Sequence, residues 1–233
     1  MKRAVVMKEE DLINLAEKIG DQSLRDKVIE MIRNPRLSFL EMPNSTTFSK
    51  SPASKRRHHS YESGLLVHTY STTKVAIALA DIVEEVYGVK VNRDVVIAAS
   101  LLHDLFKFAT YSQTYPGKYN RSKLGEMIDH LSLITGELYA RRFPIEVIHA
   151  VASHHGDASP IEPRTIEALI LHIADNADAE MNDKVFWAAK DIIRECLGLD
   201  VQTLPKEVSP FKVVLAKKEG GCEEVRRRFS SLL

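Results

Sequence analysis

Between Asn92 and the pair His103-Asp104, the residues Val95, Val96, Ala98, Ala99, Leu101 and Leu102 leave almost no polar side on a helix. Such a helix must be enclosed by others, and this requirement constrains the fold more than any other segment does. The stretch from Val95 to Leu102 is far shorter than the roughly 20 residues of a membrane span, so the expected place for it is the centre of a helical bundle. Asn92 is its expected N-cap. The opening Met-Lys-Arg-Ala-Val-Val-Met-Lys-Glu-Glu reads as neither a signal peptide nor a span.

The enclosing helices are legible as apolar residues recurring at three and four. Leu12, Ile13, Leu15, Ala16 and Ile19 mark a first helix that Gly20 ends. A second, with Ser23 as its cap, carries Leu24, Val28, Ile29 and Ile32 up to Asn34-Pro35. Glu41 to Lys55 has no apolar period and reads as a loop ending in the basic run Lys55, Arg56, Arg57. A long helix then runs from near Tyr61 to Gly88. Tyr111 to Ser122, containing Pro116-Gly117, reads as a loop. Lys123 to Arg142, Pro144 to Ser153, Arg164 to Glu180 and Trp187 to Leu197 read as helices. Val213 to Ala216 reads as a short strand or loop before a tail helix from Glu219. The 233 residues therefore form one all-α domain, a helical bundle with a short helical N-terminal extension.

Charge and cysteine content narrow the function. Lys plus Arg and Asp plus Glu are both 32, so no bulk positive field holds a polyanion and any nucleic-acid contact has to be local. Cys196 and Cys222 are too few for a disulfide framework or a Cys-rich zinc module, which fits a reducing cytoplasm.

Imidazole and carboxylate concentrate at five places: His68; His103-Asp104; His130; His154-His155; and the segment from His172 through Asp175 to Asp178. About one helix and a loop separate each from the next, so packed helices can bring them to one centre, as bundle cores assemble metal sites. An isolated histidine on a helix is more often a packed residue than a ligand. His-Asp directly after the most apolar helix is different, because a buried carboxylate is costly unless it is paired or bound to a cation. Nitrogen and oxygen donors without thiolate suit Fe, Mn, Co, Ni or Zn.

These residues resemble the HD-domain metal-dependent phosphohydrolases, whose pattern of a His, then His-Asp, then a late Asp is matched by His68, His103, Asp104 and Asp175. His130 and the pair His154-His155 resemble the two-metal branch of that superfamily. The resemblance is closest to the HD domain of YhaM-type 3′-to-5′ exoribonucleases. It is carried by Pro52 to His68, by Leu101 to Lys107 and by Ser153 to Ala179. Two features depart from that group. The residues before Phe48 read as helix rather than as an OB-fold, and Phe106 stands where the group usually has Gly, which is expected to reshape the substrate entrance.

The resemblance implies a domain over 58–200, preceded by a helical extension and basic loop over 1–57 and followed by a tail with a helix over 201–233. It implies two divalent transition-metal ions. His68, His103, Asp104 and Asp175 hold one, while His130, His154 and His155 hold the other and Asp104 bridges them. The expected reaction is hydrolysis of a phosphoester by metal-activated water. Asp104 and Lys107 are the expected catalytic residues, Lys107 as a phosphate ligand. Lys55, Arg56, His58, His59, Tyr61 and Asp178 are the expected substrate-binding residues, with Asp178 alternatively orienting a ligand. The expected substrate is a phosphate-containing small molecule such as a nucleotide, or a short single-stranded RNA. Within enzymes the alternative is a nucleotidase or cyclic-nucleotide phosphodiesterase; outside them it is a metal or nucleotide sensor.

Overall fold

The computed structural model describes residues 7–41, 46–55, 57–115, 118–205 and 207–233. Among these residues the chain is helical apart from one two-stranded hairpin, in agreement with the all-α expectation. The helices are α1 (Glu9–Ala16), α2 (Gln22–Arg33), α3 (Gly64–Tyr87), α4 (Arg93–Leu102), α5 (Lys123–Met127), α6 (His130–Ala140), α7 (Ile145–Ala152), α8 (Ile166–Leu197) and α9 (Pro210–Phe229). No described helix is long and apolar enough to cross a membrane.

α4 occupies the centre. The Asn92 side chain caps it by accepting from the Val95 amide, and every residue from Val95 to Leu102 is buried. Burial of each large apolar side chain there is worth roughly 1.5–3 kcal/mol relative to exposure. α1 and α2 pack into the same core through Leu12, Ile19, Met31 and Ile32. Their junction is pinned to the start of α4, where Asp94 accepts from the amides of Gly20 and Asp21 at 2.8 Å each.

The chain departs from the sequence reading in several places. Asp21, not Ser23, caps α2, its side chain accepting from the Leu24 amide. Tyr111–Tyr115 and Lys118–Arg121 form antiparallel strands β1 and β2 rather than a loop, since Tyr and Thr suit a pleated ribbon. Lys123 to Arg142 is two helices. Asp129 is extended and accepts from the Ser132 amide, so it caps α6 instead of continuing α5. Arg164 to Glu180 and Trp187 to Leu197 are parts of one helix, α8. The polar residues that hide its continuity include Asn182, which is buried on the same face as Asp175, Asp178 and Phe186. Val213 to Ala216 is helical, on a buried face of α9 with Pro210 in its first turn; the helix is kinked at Gly220 and Gly221.

The second half of α8 and α9 enclose a separate cluster containing Phe186, Ile193, Leu204, Val213, Val225 and Phe229. The two cysteines, which form no framework, nevertheless pair: Cys196 on α8 is disulfide-bonded to Cys222 on α9. That linkage removes the cysteine-based argument for a reducing compartment. Phe106 is fully buried in the main core rather than at an entrance, because the chain after His103-Asp104 tightens into a 3-10 helix over Leu105–Thr110 that turns the ring inward.

Candidate metal centre

His68 sits in the second turn of α3, and the approach to that helix is unusual. His59 and Ser63 both adopt left-handed backbone conformations, with φ of 48° and 65°. Gly64 closes the turn against His59 so tightly that a Cβ there would lie 2.1 Å from the His59 carbonyl oxygen. The His59 amide donates to Asn182 Oδ1 at 2.6 Å, fastening the turn to α8. Such strain persists only where surrounding contacts fix it, and here it sets two histidine rings beside His68.

Four elements contribute to the first donor group. His68 Nε2 from α3, His103 Nε2 from the end of α4, and Asp175 Oδ1 from α8 converge with Asp104 Oδ2 from the start of the 3-10 helix. His68 Nε2 lies 3.0 Å from Asp175 Oδ1, 3.4 Å from Asp104 Oδ2 and 3.4 Å from His103 Nε2. His103 Nε2 lies 3.6 Å from Asp104 Oδ2 and 3.7 Å from Asp175 Oδ1. Spacings near 3 Å are those of neighbouring ligands on an ion with bonds of about 2.1 Å.

The second group uses the other oxygen of the same carboxylate. Asp104 Oδ1 is 3.1 Å from His130 Nε2 and 3.9 Å from His154 Nε2, and His155 completes the cluster. Asp104 Oδ1, His130 Nε2 and His154 Nε2 are all buried without a hydrogen-bond partner. Buried polar atoms are normally satisfied, so three orphans facing one point fit a cation.

The outward nitrogens of the histidines fix the inward ones. His68 Nδ1 donates to Asp178 Oδ2 at 2.7 Å, His103 Nδ1 to the Ser100 carbonyl at 2.8 Å, and His154 Nδ1 to the Val151 carbonyl at 2.7 Å. Each ring thereby turns its Nε2 to the centre, the nitrogen a ligand would use. Asp175 and Asp178, one turn apart on α8, thus bracket a single imidazole from its two sides.

Electrostatics point the same way. Asp104, Asp175 and Asp178 place three carboxylates here against one ammonium, Lys107, which donates to Asp104 Oδ2 at 2.5 Å. Burial disfavours charge on Asp104, yet Lys107, His103 and His130 hold its carboxyl well below the usual range. Burial likewise opposes charge on His68, but hydrogen bonds with Asp104, Asp175 and Asp178 raise its imidazole well above the ordinary value. The pocket thus demands positive charge, and bound cations would supply it.

The other expected site residues are placed as follows. His58 packs its ring 4.8 Å from that of His68, and burial followed by His68 and Lys107 lowers it to about 3. His59 is buried with Nε2 3.7 Å from Asp178 Oδ2, and Tyr61 is 5.8 Å from the His59 ring. Lys55 is exposed, outside the centre. Arg56 lies outside the described residues. His172 is not among the donors: its Nδ1 donates to the His154 carbonyl at 2.7 Å and so supports the His154-His155 segment. His149 Nε2 accepts from the Arg164 amide away from the centre. Asn182, which holds the His59 turn, lies outside the residues that the sequence brings forward.

The family model described as HD domain matches residues 65–180. The dihydroneopterin 2′,3′-cyclic phosphate phosphodiesterase of Methanocaldococcus jannaschii is 46% identical over 91% of this chain and 85% of its own length. The 3′-5′ exoribonuclease YhaM of Geobacillus sp. is 31% identical over 86% of this chain and 66% of its own. That of Bacillus subtilis is 32% identical over 66% of this chain and 52% of its own. The chain spans only about half to two thirds of the length of these exoribonucleases. No solved structure matches the chain.

Proposed function

The chain belongs to the HD domain family, whose members are metal-dependent phosphohydrolases, and from that premise we propose that it opens small cyclic phosphodiesters carried on a heterocyclic or nucleoside-like group. The observation that carries this reading is the carboxylate of Asp104, whose two oxygens face two separate donor groups. In it, His68, His103, Asp104 and Asp175 hold one divalent ion and Asp104, His130, His154 and His155 a second, each Fe, Mn, Co, Ni or Zn. The catalytic unit is taken as 58–200, with 1–57 and 201–233 as its flanking segments. When bound, such ions supply Lewis-acid activation of water and neutralise phosphoryl charge.

The chain's own groups do the rest. Asp178 keeps His68 oriented through Nδ1. Lys107, raised by Asp104 and Asp175 although burial opposes its charge, stays an ammonium and is placed to meet a phosphoryl oxygen. His58, His59 and Tyr61 wall the pocket on the α3 side. No covalent enzyme intermediate is required. A diester rather than a monoester is favoured by the similarity to the cyclic phosphate phosphodiesterase over nearly all of both chains.

The test is a substrate panel on chelator-stripped protein reloaded separately with each of the five metals. A nucleoside 2′,3′-cyclic phosphate should be opened to its monoester, without release of inorganic phosphate. Asp104→Ala should lose both bound metal and turnover. Phosphate release from nucleoside monophosphates alone would make the protein a nucleotidase, and tight metal without any turnover would make it a sensor.

A further inference from the structure

Outside the metal centre, the β1–β2 hairpin and the second half of α8 enclose a cleft of about 670 Å³. Its lining includes Lys55, Lys118 and Lys190 together with Trp187 and Tyr115, and no carboxylate among the described residues. None of these three ammonium groups is ion-paired among the described residues. In a chain whose acidic and basic residues are equal in number, this is a local concentration of one sign.

Trp187 is 50% exposed, which is unusual for a residue whose burial is worth so much. Lys190 Nζ stands 4.6 Å from its ring centroid. A cation held on a half-exposed indole makes a stacking platform with a phosphate ligand beside it, the pairing found where single strands are bound without sequence preference.

The cleft also has a fixed relation to the centre. Trp187 follows Asp178 by nine residues on α8, about 13 Å along the helix and two and a half turns round it, so the cleft lies on the face of α8 opposite the centre. The opposite wall is continuous with the centre too, because Ser60 Oγ donates to the Lys55 carbonyl while Ser54 Oγ donates to that of His58.

We propose that this cleft binds single-stranded nucleic acid, with phosphates on Lys55, Lys118 and Lys190 and a base stacked on Trp187. The binding stands apart from the hydrolytic reading, since it concerns a surface that a small cyclic diester at the centre does not reach.

The chain has a single tryptophan, so its emission reports on this cleft alone. The metal-free protein is titrated in EDTA with a phosphorothioate oligonucleotide of about eight residues, within the site sizes of single-strand grooves. Saturable quenching is expected. In fluorescence anisotropy with a labelled strand, Trp187→Ala should weaken binding about fivefold or more. Lys118→Gln and Lys190→Gln should each lower the slope of log affinity against log salt by about 0.7. Hydrolysis of bis(p-nitrophenyl) phosphate by Trp187→Ala should match that of the parent, which separates failure here from failure of the catalytic reading. The proposal is overturned if the strand does not bind, if it binds without changing the emission, if a mononucleotide quenches equally at the same concentration, or if polyglutamate binds as tightly.

Discussion

Asp178 illustrates how much one carboxylate can do without touching a ligand position. Its Oδ2 accepts from His68 Nδ1, so its removal frees that ring to rotate or to change tautomer. Asp178→Asn should cost about 10–100-fold in metal affinity or in turnover while leaving the protein folded, as outer partners of metal-binding histidines do. Metal content after dialysis against graded chelator checks this, and parental affinity would remove Asp178 from its orienting role. The sequence brought Asp175 and Asp178 forward together, because both lie on one helical turn. Separating them required the side-chain directions, which put Asp175 on Nε2 and Asp178 on Nδ1 of the same ring. The donor residues were legible as residue types at helix spacing. Asn182 was not, because an isolated Asn carries no periodic signal and acts here through a backbone amide.

At the level of elements, the most consequential difference from the sequence pattern is the continuity of α8 and its attachment to α9. The Cys196–Cys222 bond closes a separation of 26 residues, and a loop of that size gives about 3.5 kcal/mol of stabilisation by restricting the unfolded chain. Cys196→Ser should therefore lower the thermal midpoint substantially, and a reductant should do the same to the parent but not to the variant. A midpoint indifferent to reductant would mean that the bond does not form in solution. Neither cysteine announced its partner, since two isolated cysteines specify a pair only after the helices that carry them are known to pack. The helices themselves were largely readable, because α1 and α2 show apolar residues at three and four while α4 is apolar nearly all round. The α5–α6 break was not, because Asp129 looks like one more polar helical residue until its side chain is seen to cap the next helix.

Across the whole molecule, the buried imidazoles tie stability to acidity. Burial is the first cause lowering His58, to about 3, and also lowers His59 and His154 well below their ordinary value of 6.5. Below about pH 6.5 the unfolded chain takes up protons that these folded residues refuse, so the unfolded state is favoured as the pH falls toward 3. His68 has the opposite sign: its raised value contributes stability below 6.5 that is lost as pH climbs through the folded value. Four lowered groups, His155 among them, outweigh one raised group, so the chelated protein should melt at lower temperature near pH 5 than near pH 7, and a flat or inverted profile by calorimetry would contradict the balance. The bundle and its centre were foreseeable from the enclosed α4 and the spacing of the histidines, whereas the separate cluster between α8 and α9 depended on a helix that the sequence seemed to interrupt. That helix makes the molecule modular. With the proposed ligands projecting from one half of α8 and the tail clasped to the other, the distal portion can be altered without disturbing the reactive one.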